Sequence, residues 1–292
     1  MKKLLSLFLT ILLLGGCAAT YDGPTVTKSV LTAEESYDYH SDGTVRHQTR
    51  REYTYDIHGN QSQILEYSQE EDLRDAEPHL KTVLHYDENG NLTRQIQYDV
   101  SGWFPRKLTD TRYERDDQGR LTATRHSRDL RGNDTTVVYD DAAKTRTTTG
   151  SGSTIVEYLD ENGWVIRAES VFDDGVPVTE EFDRRPDGQV RTVRTYRDGV
   201  LRSTMEHTYD DQGRPLTQTE IRDGETRVLF RYEYGESHVA CTYADGGWSV
   251  TDYNPDGTRD DRVVYDAEGN LRELVIYRYT EIQVPNEEGG TP

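Results

Sequence analysis

A short stretch keeps returning along this chain: "YDIHGNQ" from Tyr55, "YDENGNL" from Tyr86, "YDDQGRP" from Tyr209 and "YDAEGNL" from Tyr265. Glycines of the same kind stand at Gly163, Gly175, Gly188, Gly199, Gly213, Gly224, Gly235, Gly246, Gly257 and Gly269, spaced 11 to 14 residues apart. Each interval holds one strand and one turn, which leaves no room for long helices. The runs between them, such as "QVRTVRTY" (189–196), "TRVLFRYEY" (226–234) and "NLRELVIYRY" (270–279), are rich in β-branched and aromatic residues.

The repeated stretch reads as turn chemistry. In "YDENGNL" the loop is Glu88-Asn89-Gly90, so Asp87 faces Asn91 and Tyr86 faces Leu92 across a hairpin. Asp87 accepts hydrogen bonds from the turn backbone, and Gly90 supplies a positive φ without a Cβ penalty. The same roles fall to Tyr55, Asp56 and Gly59, to Tyr209, Asp210 and Gly213, and to Tyr265, Asp266 and Gly269. A second kind of turn is the bare Asp-Gly at 174–175, 198–199, 223–224 and 245–246, suited to a two-residue type I′ hairpin. Between Gly163 and Gly224 the two kinds alternate, so a meander puts long turns on one rim and short turns on the other.

With looser copies "YDVSG" (98), "YNPDG" (253) and "FDRRPDG" (182), the pattern covers most of residues 37–279 and resembles the YD repeat of the Rhs family. Large Rhs proteins wind such repeats into a hollow β-shell around a toxin domain. This chain has too few strands for that and no separate toxin segment. Hairpin-repeat proteins of the MORN type are the nearest alternative. The resulting expectation is an all-β, antiparallel meander of YD-like hairpin repeats forming an extended, twisted or curled sheet.

The N-terminus carries Lys2 and Lys3, the apolar run Leu4 to Leu14, and Leu14-Gly15-Gly16-Cys17, which resembles the bacterial lipobox. That resemblance implies cleavage before Cys17 and a lipid on its sulfur. The expected organisation is a signal peptide at 1–16, a lipidated cysteine and tether at 17–36, a repeat domain at 37–281 and a disordered tail at 282–292. The expected location is a bacterial membrane, facing the periplasm or the exterior. Cys241 is then the remaining thiol, so no intramolecular disulfide is available.

Without residues 1–16 the chain has 32 basic against 54 acidic residues, a net charge of −22. Such a balance argues against nucleic acid and anionic membrane surfaces as partners. Only 33% of residues are hydrophobic, yet 20 tyrosines set the composition apart from that of disordered chains. The reading is a wet β-sheet with at least one partly covered face per strand.

Three places break the repeat. "SQEEDLRDAEPH" (68–79) has capping-box spacing at Ser68 and Glu71, for a short acidic helix or a solvated loop. Trp103 and Phe104 lie beside a turn, either as an exposed recognition patch or as cover for the end of a thin sheet. "DAAKTRTTTGSGST" (141–154) reads as a weak strand or mobile loop.

Catalytic signatures do not emerge. Eight histidines (His40, His47, His58, His79, His85, His126, His207, His238) form no HExxH or Cys/His cluster. No G-x-S-x-G elbow, phosphate loop or EF-hand series occurs, and carboxylate pairs discriminate nothing among 54 acids. No metal, cofactor or enzymatic activity is expected. The expectation is a non-catalytic binding or adhesion module, with Trp103 and Phe104 as candidate contacts for a glycan, a cell-wall polymer or a protein. Its alternatives are an accessory or immunity partner of a secreted toxin and, more remotely, a carbohydrate-active enzyme.

Overall fold

The computed structural model describes residues 25–69, 76–126, 134–150, 152–172 and 175–285. These form strands β1 (Thr25–Tyr39), β2 (Val45–Tyr55), β3 (Gln61–Gln69), β4 (Leu80–Tyr86), β5 (Leu92–Asp99), β6 (Arg106–Arg115) and β7 (Leu121–His126). Next come β8 (Thr135–Asp140), β9 (Thr145–Gly150), β10 (Ser153–Leu159), β11 (Val165–Val171), β12 (Pro177–Arg184), β13 (Val190–Arg197) and β14 (Val200–Tyr209). The set ends with β15 (Pro215–Arg222), β16 (Glu225–Tyr234), β17 (His238–Tyr243), β18 (Trp248–Tyr253), β19 (Arg259–Tyr265) and β20 (Leu271–Pro285).

Every strand pairs antiparallel with its neighbours in sequence, and β1 also pairs with β20 over thirteen positions, from Thr25↔Pro285 to Asp38↔Glu273. The sheet is therefore a closed barrel of 20 strands, not the extended or curled sheet expected from the repeats. Local turn signals specify each reversal but carry no information on whether the first strand meets the last. The two fifteen-residue terminal strands supply that meeting. Closure removes both sheet edges, which otherwise template aggregation.

β1 begins at Thr25, so residues 25–36 belong to the wall rather than to a tether, and β20 carries residues 282–285 of the expected tail in a strand. The signal peptide and Cys17 lie outside the described residues, as do residues 286–292. Ser68 sits in β3 with its hydroxyl 3.1 Å from Nε2 of His47, so no helix starts there; residues 70–75 of the acidic insertion are outside the described set. Thr145–Gly150 of the third break is a strand, β9.

The wall is wet. Among the described residues six apolar side chains are buried: Tyr67, Ile96, Ala123, Cys241, Val275 and Val284. Burial, followed by the hydrogen bond to Glu52, pushes the Tyr67 hydroxyl pKa up to about 12; Arg50 stacks 4.2 Å from its ring centre. Stability is spread over ladder bonds and cross-strand pairs rather than held in a central core. Consecutive Glu180 and Glu181 in β12 put a carboxylate on each face, and both Arg51–Glu66 and Arg94–Asp110 are ion pairs, on opposite faces. Charged side chains therefore stand on both faces of the wall at these strands.

Turns after even-numbered strands gather at one rim, here the near rim, together with the start of β1 and the end of β20. Turns after odd-numbered strands form the far rim. The long turns at 160–164, 185–189 and 210–214 stand on the near rim, and those at 198–199 and 223–224 on the far rim. At these last two, Asp198, Gly199, Asp223 and Gly224 all have φ between 52° and 83°, the type I′ signature. Asp245-Gly246 instead closes with a bond from Gly246 N–H to the Tyr243 carbonyl, the long pattern, and Gly175 N–H bonds Phe172 in the same way. Asp174 is outside the described residues.

Candidate functional site

The repeated turns have one construction. Asp87 N–H donates to the Asn91 carbonyl at 3.0 Å, Gly90 N–H to the Asp87 carbonyl at 3.1 Å, and Tyr86 pairs with Leu92 across a bulge. One Asp87 oxygen accepts from the backbone of Asn89 and Asn91, the other from the Asn91 side chain. These bonds, the Asn91 backbone first, hold its carboxyl pKa low. Asp56, Asp210 and Asp266 are bonded in the same way, with Gly59, Gly213 and Gly269 at φ 83°, 79° and 85°. Their carboxylate oxygens are thus engaged by their own turns.

Successive turns on the near rim are tied together. The Tyr55 hydroxyl donates to Leu31 O at 2.6 Å, Tyr209 to Val190 O and Tyr234 to Pro215 O, both at 2.7 Å. The residue after the turn glycine leans onto the next turn: Arg214 lies 4.2 Å from the Tyr234 ring centre, and Gln189 donates to Gly213 O at 2.7 Å. Trp164 covers Gly188 so closely that a Cβ there would fall 2.5 Å from its ring. The Tyr265 turn has the same sequence form yet lies on the far rim, where Tyr265 stacks on Trp248 with ring centres 4.9 Å apart. The motif therefore encodes reversal and turn-to-turn packing.

The remaining candidate, Trp103-Phe104, stands on the far rim between β5 and β6. Asp99 anchors the turn, accepting from the Ser101 hydroxyl at 2.6 Å, the Ser101 backbone at 3.1 Å and Arg106 at 3.1 Å. The Ser101 hydroxyl is the leading cause holding the Asp99 carboxyl pKa low. Val100 N–H donates to the His79 carbonyl, and Pro105 fixes φ after the aromatics. Trp103 and Phe104 are 97% and 87% exposed, so they project into solvent instead of covering the sheet end. Other exposed apolar residues share this rim: Val45, Val171, Phe172, Val200 and Leu201. Beneath the turn, Arg94 and Lys107 converge on the buried Asp110. Among the described residues no His, Cys, Asp and Glu group could hold a metal ion, and Cys241 is a buried free thiol.

A family profile described as RHS Repeat matches residues 86–130, the stretch holding the Gly90 and Gly119 turns, so the chain carries Rhs-type repeats. No curated protein matches it. A porin-like protein from Bacteroides uniformis is similar over 88% of this chain and 99% of its own, with 10% identity and a TM-score of 0.38. A chain in the structure of TcdB2-TccC3-Cdc42 is similar over 82% of this chain and 20% of its own, with 10% identity and a TM-score of 0.20.

Proposed function

We propose that this protein is a non-catalytic binding module, lipid-anchored through Cys17 to a bacterial membrane, facing the periplasm or the exterior. It engages a protein or surface polymer through the Trp103-Phe104 turn. The observation supporting this most is the near-complete exposure of two large aromatics on a turn that three bonds to Asp99 hold in shape. Exposed Trp and Phe on a rigid support lose little side-chain entropy on docking and bury a large area, the combination found at binding hot spots. The anchor fits the geometry, because Thr25 and Pro285 sit side by side on the near rim and the aromatic turn is on the far one.

Two measurements test the reading. Cys17→Ser is expected to move the protein from the detergent to the aqueous phase in a partitioning assay. Trp103→Ala with Phe104→Ala is expected to reduce capture of isolated envelope material at least tenfold, with circular dichroism and melting unchanged. Undiminished capture by that double variant would refute the site.

A further inference from the structure

We propose a second, separate binding site on one face of β16 to β20, for an acidic extended peptide segment of a partner protein. The strand register builds it. Tyr232 of β16 stands opposite Cys241 of β17, Cys241 opposite Ser249 of β18, and Ser249 opposite Val264 of β19. On the same face Thr251 is opposite Arg262, and Arg262 is opposite Val275 of β20. Buried Cys241 and Ser249 make a floor of small side chains, and Tyr232, Tyr243, Tyr253 and Tyr277 rise around it into a shallow concavity.

Its geometry is fixed by its own contacts. The Tyr243 hydroxyl donates to Ser249 Oγ at 2.7 Å, and its ring meets Phe230 edge-on with centres 6.0 Å apart. Arg262 reaches the Tyr243 hydroxyl at 3.5 Å, and Arg259 lies 5.8 Å from the Tyr277 ring centre. Burial raises the pKa values of the Cys241 thiol and the Tyr232 hydroxyl, so both stay protonated and neutral at pH 7.

Charge identifies the ligand. The chain has 54 acidic and 34 basic residues, yet the concavity is lined by two arginines and no carboxylate. Glu273 stands on the same face, opposite Val264, and reaches one terminal nitrogen of Arg262 at 4.0 Å, the nitrogen that also faces the Tyr243 hydroxyl. A guanidinium so placed takes a carboxylate in a bidentate pair. Tyrosine, serine, threonine and arginine together form the composition of protein-binding surfaces, where rigid amphipathic rings give area and hydroxyls give adaptable bonds. Five strands span about 19 Å, the length of roughly six residues of extended peptide. Two arginines are too few for a nucleic acid, whose tight binding rests on about six or more phosphate contacts.

The test is fluorescence polarisation on the full chain, with labelled octamers of glutamate, glutamine and lysine, and a uronate oligosaccharide matched to the glutamate octamer in charge. The expected result is saturable binding of the glutamate octamer, weakened by salt and at least tenfold weaker for Arg259→Gln with Arg262→Gln. Trp103→Ala with Phe104→Ala leaves this binding unchanged, which separates it from the far-rim site. The same melting temperature in the arginine variant excludes misfolding; should that variant unfold, Tyr277→Ala is read instead, with the same tenfold loss expected. Absence of saturable binding, indifference to these substitutions, or tighter binding of the uronate than of the peptide would each overturn the proposal.

Discussion

Gly163 and Gly188 hold equivalent places in their turns, at φ 79° and 87°, but only Gly188 has a neighbour where a Cβ would go. Gly163→Ala is expected to cost about 1 kcal/mol, the strain of an L-residue in the left-handed region. Gly188→Ala must also displace the Trp164 ring, for a total of about 2–4 kcal/mol. Urea midpoints of the two variants check the difference. Asp110 gives a pH signature. Hydrogen bonds from Arg94, then from Lys107, hold its carboxyl pKa well below that of an unfolded aspartate, against the opposing effect of burial. Its contribution is complete above the unfolded value of about 3.9 and fades as pH falls toward the folded one. Asp110→Asn should cost about 1–3 kcal/mol at pH 7 and much less near pH 2, a convergence that acid-series denaturation would reveal. At this scale the turns were legible, because Asp, Gly and Asn act on their own backbone. The exposure of Trp103 was not legible, since only the far-rim geometry shows that nothing sits above it.

The strands and turns are tied unequally. Tyr209→Phe removes one bond to Val190 O and should lower stability by about 0.5–1.5 kcal/mol while leaving the turn intact. Among the described residues the thinnest join is between β7 and β8, which share two register pairs, Ala123↔Thr136 and Thr124↔Thr135, where β5 and β6 share six. Amide hydrogen exchange is therefore expected to be faster along β7 and β8 than along β5 and β6; equal protection would contradict this. Strand existence followed from sequence spacing, as did the turn kinds at 160–164, 185–189, 198–199, 210–214 and 223–224; the turn at Gly175, expected to be short, closes on Phe172 in the long pattern. Asp245-Gly246 did not follow, because Gly247 extends the loop and lets Tyr243 close the longer pattern. The Tyr and Arg concavity was equally hidden: its residues come from five strands, and only cross-strand register shows that they share a face.

Ring closure belongs to the whole molecule, and the repeat pattern leaves it undetermined, since an open and a closed meander use the same turns. A chain ending at Gly269 would lack β20 and leave β1 and β19 as free edges. Such a chain is expected to self-associate, visible as larger and polydisperse species in light scattering, while the full chain stays discrete. The seam also sets a schedule. Thr25 must find Pro285, so the final join waits until nearly the whole chain is present and must close its longest loop. Every earlier intermediate is an unfinished ribbon with two sticky sides. Barrels of this build should therefore mature late and slowly, and a partner that shields those sides before β20 arrives would raise the yield of folded protein without touching the finished fold.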